Sequence, residues 1–292
     1  MNRHRVLVIG KNGQVGWELI RTLAPLGEVT GVDYPEIDLT QDDSISQRLD
    51  KIKPDVIVNA AAYTAVDKAE SESELCAAIN ARAPGLLASK AASSGALLVH
   101  YSTDYVFDGS KTTPYVETDE PNPLGVYGRT KLEGDEAVRS TGCDHLIFRL
   151  CWVYGARGKN FMLTMQKLAR ERETLRVVGD QFGCPTWSRM IAEATAQATA
   201  RTLLSGNRSK FKGAYHLAAS DHTNWHGFAQ AIIDSVPTER RKCKKVESIL
   251  SSEYPTPAKR PPYSVLNCDK LEQTFGIRLP DWRTSLNHVL EQ

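Results

Sequence analysis

The chain has 292 residues, 41% of them hydrophobic, which is enough apolar material for one large domain or two closely joined ones. Its 36 Lys and Arg nearly balance its 35 Asp and Glu, and this balance excludes a general electrostatic attraction to nucleic acid or to an anionic membrane. Without a long apolar run or a signal-like start, and with six widely spaced cysteines, the sequence predicts a cytoplasmic protein with reduced thiols and no zinc cluster.

Short Val/Ile/Leu-rich segments alternate with helix-like segments through the first half of the chain. The predicted strands are, in chain order, RVLVIG, EVTGVD, PDVIVNAAA, ALLVHYS and HLIFRLCWVYG. The predicted helices between them span residues 16–26, 44–51, 75–94 and 126–140. Nearly continuous apolar strands that alternate with helices are typical of a parallel sheet covered on both faces. The first half therefore predicts a Rossmann-like, doubly wound α/β domain.

The pattern changes after about residue 160. Helices are predicted over 161–173 and 187–204, and a further strand, GAYHLAA, precedes a proline-rich tail with two short helical stretches. The predicted dinucleotide-binding domain comprises residues 1–165, and the chain rejoins it at about 188–218. Residues 166–187 and 219–292 are predicted to form a smaller α/β substrate-binding lobe at the carboxyl edge of the sheet, where open α/β folds bind ligands.

Three glycines follow the first predicted strand and open the first predicted helix in LVIGKNGQVGWEL. Their G-x-x-G-x-x-G spacing is one residue off the dinucleotide fingerprint, but it supplies a tight turn, close approach to a pyrophosphate and close helix–strand packing. Such glycines are also common in ordinary turns, and the position between strand and helix favours cofactor binding. The loop residues assigned to the cofactor are Gly10, Lys11, Asn12, Gly13, Gln14, Val15 and Gly16.

Further cofactor contacts are predicted at the ends of the second and third strands. Asp33 lies 17 residues past Gly16, where a carboxylate can accept hydrogen bonds from the adenosine ribose hydroxyls. Asp33 suits NADH and would repel the 2′-phosphate of NADPH, whereas Lys11 would attract it, so both cofactors stay open. The residues assigned to the adenine pocket and the floor of the dinucleotide site are Asp38, Leu39, Ala61, Ala62 and Tyr63.

The segment PNPLGVYGRTKLEGDE places Tyr127 and Lys131 four residues apart, on one face of a predicted helix. An ammonium about 4 Å from a phenol, at an effective dielectric near 20, favours the phenolate by roughly 4 kcal/mol, or about three pKa units before burial opposes it. This pair therefore predicts a tyrosine whose pKa is lowered towards neutrality and that acts as a general acid. For an isolated pair, a surface tyrosine stacked on a lysine stem is the simpler interpretation. Thr103 supplies a hydroxyl for the same substrate oxygen, although taken singly it is equally a cap of a helix or turn.

Together, Thr103, Tyr127 and Lys131 resemble the catalytic residues of the extended short-chain dehydrogenase/reductase superfamily. Longer strings are similar to the dTDP-4-dehydrorhamnose reductases over nearly the whole chain: NAAAYTAVDKAESE, STDYVFDG, VYGRTKLEGDEA, FRLCWVYG, DQFGCPT and YPTPAKRPPYSVLN. The resemblance implies reduction of the 4-keto group of a dTDP-6-deoxy-L-hexulose by a nicotinamide cofactor. In that family this is the last step of a route to dTDP-L-rhamnose for bacterial cell-surface sugars.

The resemblance also implies roles for individual residues. Tyr127 would donate the proton to the C4 oxygen, Lys131 would hold the cofactor ribose and tune Tyr127, and Thr103 would orient the carbonyl. Asp104 and Trp152 match family positions near the sugar, and an indole offers a flat apolar face to a deoxysugar. The diphosphate of the nucleotide needs cationic or amide donors, and the candidates are Arg260, Lys159 and Asn160.

Two rival interpretations remain. Nucleotide-sugar 4,6-dehydratases and 4-epimerases share the glycine loop and the Tyr/Lys pair, but Tyr105 follows Asp104 where a dehydratase has a second carboxylate. An epimerase is harder to exclude from the residues alone. A non-catalytic regulatory subunit is the other rival, because the regulatory subunit of a eukaryotic methionine adenosyltransferase resembles these reductases. The resemblance leaves a monomer and a homodimer open, as well as a structural Mg²⁺ ion, and the sequence assigns no metal ligands.

Overall fold

Strands and helices alternate along residues 3–291, the part of the chain that this computed structural model describes. The strands are β1 (His4–Ile9), β2 (Gly27–Val32), β3 (Val56–Asn59), β4 (Leu97–Thr103), β5 (His145–Leu150), β6 (Val153–Tyr154), β7 (Thr174–Val178), β8 (Phe182–Gly183), β9 (Thr186–Trp187), β10 (Gly213–His216), β11 (Thr223–Asn224) and β12 (Lys245–Ile249). The helices are α1 (Gln14–Thr22), α2 (Asp42–Ile52), α3 (Val66–Ala69), α4 (Ser73–Ala77), α5 (Ala83–Ser94), α6 (Val126–Ser140), α7 (Phe161–Glu171), α8 (Ser188–Leu203), α9 (Trp225–Asp234), α10 (Asp269–Phe275) and α11 (Trp282–Leu290).

Six parallel strands form the main sheet in the order β10-β5-β4-β3-β1-β2. Every residue of β3, β4 and β5 is buried, which explains why these strands are apolar on both faces over most of their length rather than alternating. The predicted Rossmann-like parallel sheet is confirmed. Because the chain runs from β1 outward to β2 and then back to β3, a switch point lies beside β1, and ligands of such sheets bind at the carboxyl ends of the strands there.

Helices cover both faces of the main sheet. Along β1, Val6 and Val8 point into the core beneath α1 and α8, whereas Leu7 and Ile9 point into the core beneath α2 and α5. This alternation follows from the two-residue period of a strand. The sheet is therefore a rigid, two-sided platform that fixes where each strand ends.

A third core lies away from the main sheet, where α7, α9 and α11 pack with the two-stranded sheet of β7 and β12; this part of the chain is called the smaller lobe, after the predicted substrate-binding lobe. Phe228 of α9, Met165 of α7 and Trp282 of α11 meet in this core. The strand β10 is part of the main sheet, and the helix α8 packs on the core of that sheet. The helix α10 packs on the same core through Leu271 and Phe275. The division of the chain into two domains stays a prediction, and the packing of α10 adds a return to the main sheet within residues 219–292. No helix within residues 3–291 is long and apolar enough to cross a membrane.

Candidate active site

A cleft of about 740 Å³ lies at the carboxyl edge of the main sheet. Successive strands each deliver a side chain or loop to its wall: Gly13 follows β1, Asp33 follows β2, Ala61 follows β3, Thr103 ends β4 and Trp152 follows β5. Parallel strands end at the same edge, so residues that are far apart in sequence meet here. The cleft is large enough for a small-molecule ligand.

The glycine loop forms the first wall of the cleft and is held very close to its neighbours. Gly10 has φ +88°, and a Cβ built on it would lie 2.7 Å from the backbone N of Ala61. A Cβ on Gly16 would lie 1.9 Å from the carbonyl O of Gly10. Both positions therefore require glycine. A side chain at Gly10 would push the loop away from the segment that follows β3, and a side chain at Gly16 would push α1 away from the loop. In the described part of the chain no side chain caps the start of α1, so its first amides remain available to an anionic ligand.

Asp33 binds the backbone of the loop that it faces. Its Oδ2 accepts a hydrogen bond from the amide of Asn12 at 3.0 Å, and its Oδ1 accepts one from the amide of Tyr34 at 2.9 Å. Lys11 donates a short hydrogen bond to Glu36, and this bond lowers the pKa of Glu36. The lysine expected to attract a 2′-phosphate is therefore already paired, with a carboxylate that the sequence interpretation did not include. An acidic residue three positions after Asp33 was the available signal.

Three residues assigned to the adenine pocket and the floor, namely Asp38, Leu39 and Tyr63, make contacts within the protein and are not among the residues that line the cleft. Asp38 accepts hydrogen bonds from the backbone and the hydroxyl of Thr40, at 2.9 and 2.7 Å, just before α2. Leu39 packs against the core beneath α2 and α5. The Tyr63 hydroxyl bonds to Glu72, which raises the pKa of Tyr63 to about 12. The residues of this set that do line the cleft are Ala61 and Ala62.

The backbone of Tyr63 is held by a buried amide that sequence reasoning missed. The side chain of Asn80 accepts from the Tyr63 amide at 2.9 Å and donates to the Tyr63 carbonyl at 3.1 Å. Asn80 lies in a π-helical turn, Ala78–Arg82, between α4 and α5. An asparagine within an otherwise apolar stretch of the predicted helix 75–94 was the only signal for it.

Thr103 and Asp104 lie together at the end of β4, and both are buried. The Thr103 hydroxyl donates to Asp104 Oδ1 at 3.1 Å and accepts from the amide of Tyr105 at 3.2 Å, so it also caps the short 3₁₀ turn that follows. Asp104 Oδ2 accepts a hydrogen bond from Cys151 Sγ at 3.1 Å. Burial raises the pKa of Asp104 to about 6. The functional and the capping interpretations of Thr103 are therefore compatible.

Tyr127 lies in the first turn of α6, half-buried at the cleft, with its ring edge-to-face with Tyr105 at 5.9 Å between centroids. Burial raises the pKa of Tyr127 to about 12, although a hydrogen bond with Thr103 lowers it. Lys131 donates to the carbonyl of Tyr101 at 2.5 Å, and burial lowers the pKa of Lys131 to about 8. The expectation that Lys131 brings the pKa of Tyr127 towards neutrality is therefore wrong for this structure, because burial dominates both groups.

Trp152 lines the cleft in a backbone conformation that is rare for a large side chain, with φ +44°. Its indole stacks on that of Trp225, at 3.6 Å between centroids and an interplanar angle of 8°. Trp225 begins α9 and also lines the cleft, so the pair joins the sheet to the smaller lobe. Sequence reasoning missed Trp225, because nothing local connects it with Trp152.

The three residues predicted to bind the diphosphate lie in different environments in the structure. Lys159 lines the cleft. Asn160 caps α7 and donates to Gln14 Oε1 at 2.8 Å, so its amide ties α7 to the glycine loop. Arg260 lies outside the lining of the cleft and is paired with Asp67 at 2.9 Å. Within residues 3–291, no group of three or more His, Cys, Asp or Glu is placed to hold a metal ion.

These features define a class of protein. A glycine loop after β1, a carboxylate after β2 and a Tyr–Lys pair on α6 converge on one cleft of a parallel sheet. This is the fold and the arrangement of an extended short-chain dehydrogenase/reductase, a class of nicotinamide-dependent oxidoreductases.

Comparison with known proteins narrows the class. A sequence model of the RmlD substrate binding domain family matches residues 4–292. A dTDP-4-dehydrorhamnose reductase of Burkholderia thailandensis is 49% identical over 284 residues, covering 96% of this chain and 95% of that protein. A solved dTDP-4-dehydrorhamnose reductase of Clostridium acetobutylicum has a TM-score of 0.91 and 37% identity, with 98% of each chain covered. The reductase of Bacillus anthracis, solved in complex with NADP, has a TM-score of 0.89 and 31% identity, with 99% of each chain covered. The chain belongs to the dTDP-4-dehydrorhamnose reductase family.

Proposed function

We propose that the protein reduces the 4-keto group of dTDP-4-dehydro-L-rhamnose to give dTDP-L-rhamnose, with NADH or NADPH as the reductant. The observation that carries this proposal is the convergence of Thr103 and Tyr127 with the glycine loop on one cleft, in a chain 49% identical to a reductase of that name. The regulatory-subunit alternative has no observation in its favour, because the catalytic residues are present and face the cleft.

The residues along the cleft fit a nicotinamide dinucleotide. The amides at the start of α1 face the place where a pyrophosphate is bound in such folds. Asp33 would accept from the adenosine ribose, and Ala61 and Ala62 leave room for the dinucleotide along the wall of the cleft. Lys131 would bind the ribose next to the reacting ring. The cofactor, when bound, supplies the hydride that reduces the carbonyl carbon.

The proton needed to complete the alcohol would come from Tyr127. Because burial raises its pKa to about 12, the phenol keeps its proton at neutral pH and is ready to donate it. A phenol remains a stronger acid than an alcohol, so transfer to the developing alkoxide is favourable. The hydroxyl of Thr103 would orient the carbonyl, since Thr103 and Tyr127 line the same cleft.

The stacked pair Trp152 and Trp225, which lines the cleft, would contact the sugar. An apolar aromatic edge suits the methyl group of a 6-deoxysugar. Lys159 would contact the diphosphate, because it lines the same cleft. Arg260 could take part only by exchanging its ion pair with Asp67 for the ligand, and Asn160 acts indirectly by holding Gln14.

Dehydration of a nucleotide hexose is disfavoured by the side chain that follows Asp104. Elimination of water needs a paired acid and base, and here the second position is Tyr105, whose pKa is raised by burial. The protein should therefore leave dTDP-glucose unchanged. With the 4-keto-L-sugar, it should oxidise one nicotinamide for each product formed, as absorbance at the nicotinamide band and chromatography of the sugar nucleotide will show. Turnover of dTDP-glucose, or product formed without cofactor oxidation, would instead indicate a dehydratase or an epimerase.

Asp33→Asn is expected to shift the affinity ratio towards NADPH. The carboxylate would repel a 2′-phosphate by about 1 kcal/mol at 4 Å in water, which corresponds to roughly fivefold in the ratio. The amide keeps the size of the side chain and an acceptor for Asn12. Both dissociation constants should be measured by fluorescence titration, beside the matched variant Glu36→Gln, which frees Lys11 and should shift the ratio in the same direction. An unchanged ratio in Asp33→Asn would mean that Asp33 does not face the adenosine ribose.

We infer that the reaction takes place in the cytoplasm, because all six cysteines are free and five of them are buried, as is usual for proteins of a reducing compartment. A homodimer stays a prediction. Light scattering with and without Mg²⁺ would show whether copies associate and whether the ion is needed.

A further inference from the structure

A buried carboxylate lies directly beneath the reacting end of the cleft and has no role in the steps above. Asp135 is on α6, one helical turn after Lys131, as Lys131 is one turn after Tyr127. Its side chain has 0% exposure, and Lys131 is 1% exposed. Charges this deeply buried need a partner, because their desolvation is costly.

The contacts of Asp135 extend towards two cations. Its Oδ2 accepts a hydrogen bond from the Ser102 hydroxyl at 2.8 Å and lies 3.6 Å from Arg149 Nε. Its Oδ1, which has no hydrogen-bond partner within residues 3–291, lies 4.0 Å from His100 Nε2. The same His100 nitrogen is 3.4 Å from Lys131 Nζ. The carboxylate therefore faces Arg149 on one side and the His100–Lys131 contact on the other.

His100 does not carry a charge in this group. Burial lowers its pKa well below the usual range, and the nearby Lys131 lowers it further. An ammonium can only donate, so His100 Nε2 accepts and its proton is on Nδ1. Asn59 Nδ2 is placed 3.2 Å from Nδ1. A protonated Nδ1 needs an acceptor there, so this tautomer requires the Asn59 amide to be turned by 180°, which brings Oδ1, a buried atom with no partner within residues 3–291, to Nδ1. The neutral imidazole of His100 thus accepts a hydrogen bond from the Lys131 ammonium but cannot neutralise the charge of that ammonium.

The remaining groups that face Lys131 are the thiol of Cys76, on α4, and Asp135 on its own helix. Burial lowers the pKa of Lys131, and among the charged neighbours Asp135 has the largest effect in the opposite direction. Burial raises the pKa of Asp135, and the cations that oppose this are, in order, Arg149 on β5, Lys131, and Arg139 on α6. Two buried cations therefore share one carboxylate.

We propose that Asp135 is a positioning residue, the buried counter-ion that keeps Lys131 protonated and holds its ammonium beneath the cleft. The proposal rests on the proposed function only in so far as Lys131 serves the reaction. The charge of Lys131, unlike its role in turnover, can be measured directly. With a pKa of about 8, Lys131 is mostly charged at neutral pH, and it would lose that charge without the carboxylate.

Substitutions of Asp135 and of its other cation, Arg149, should shift the titration of Lys131 in opposite directions. Asp135→Asn keeps the acceptor for Ser102 but removes the anion, so the titration midpoint of Lys131 should fall by one pH unit or more. Arg149→Met removes the cation that competes for Asp135, so the midpoint should rise. A general loosening of the fold would bring water to Lys131 and would move both variants upward, towards the usual pKa of lysine.

The experiment is a pH titration of the full chain by NMR, with lysine labelled with ¹³C at Cε and the Lys131 signal identified by its loss in Lys131→Met. If Asp135→Asn does not fold because Arg149 is left unpaired, the double variant Asp135→Asn/Arg149→Met is compared with Arg149→Met alone. In each comparison, we expect the protein without the Asp135 carboxylate to have the lower titration midpoint for Lys131. An unchanged midpoint would overturn the proposal and leave Asp135 as a structural partner of Arg149. Failure of the wild-type protein to oxidise cofactor with the keto sugar would instead contradict the proposed function and leave the titration valid.

Discussion

Tyr127→Phe is expected to lower turnover by about 10²–10⁴-fold, the usual contribution of a general acid, while cofactor affinity stays near that of the wild-type protein. The phenyl ring keeps the edge-to-face contact with Tyr105, so only the proton donor is lost. Steady-state kinetics with the 4-keto sugar, together with fluorescence titration of the cofactor, will separate the two effects.

A matched control for this variant is Tyr154→Phe. Tyr154 is buried in the core of the smaller lobe, and its hydroxyl has no hydrogen-bond partner within the described residues. Removing that hydroxyl deletes the same atom from a tyrosine outside the cleft, so turnover should stay close to the wild-type value. Near-normal turnover in Tyr127→Phe would show that another group supplies the proton.

Lys131→Met should lower both turnover and cofactor affinity, because a single ammonium serves both roles. A hydrogen bond to a charged group contributes about 1.5–3 kcal/mol, so the dissociation constant of the cofactor should rise roughly 10- to 100-fold. Methionine is only one atom shorter than lysine, so it fills most of the volume of the buried side chain. Turnover measured at saturating cofactor should also fall, because the nicotinamide ribose would lose the hydrogen bond that fixes the reacting ring in the cleft.

The control for the lost charge is Lys244→Met, at an exposed ion pair with Glu173 at 3.8 Å. Surface ion pairs of this kind contribute little to stability, so neither the turnover nor the dissociation constant of the cofactor should change measurably. If Lys131→Met alters cofactor affinity but not turnover, or the reverse, the dual role is wrong.

Much of the fold could be predicted because the strands are locally distinctive. The buried strands β4 and β5 each contain a run of apolar residues, and their alternation with helices is a property of neighbouring residues. The ends of elements were less predictable. The predicted third strand ran to residue 62, whereas β3 ends at Asn59, and the alanines that follow form the wall of the cleft.

The predicted helix 75–94 shows a different reason for error. It contains α4, a π-helical turn and α5, and the turn places Asn80 where its amide binds the backbone of Tyr63, 17 residues earlier. A π-helical turn has no clear local signature, because it is stabilised by such tertiary contacts. Periodicity alone therefore predicts a single helix.

For the candidate site, motif and topology predicted the positions on the cleft but not the partners of the side chains. Arg260 pairs with Asp67, which is 193 residues away, and Asn160 bonds to Gln14, which is 146 residues away. The pKa of Lys131 is lowered by burial, and the sequence shows the burial of a single residue only indirectly. The sequence therefore predicted a Tyr–Lys pair with a lowered tyrosine pKa, whereas desolvation reverses that shift in the folded protein.

The most direct test of the central claim is to follow the transferred hydrogen with a cofactor deuterated at the reactive position of the nicotinamide ring. Reduction of the 4-keto-L-sugar should place one deuterium on C4 of the product sugar for each cofactor oxidised, as mass spectrometry and NMR of the purified nucleotide sugar will show. Tyr127→Phe should give the same labelling at a much lower rate. Product that carries no deuterium at C4, or that forms without net oxidation of the cofactor, would contradict the assignment of this cleft to carbonyl reduction.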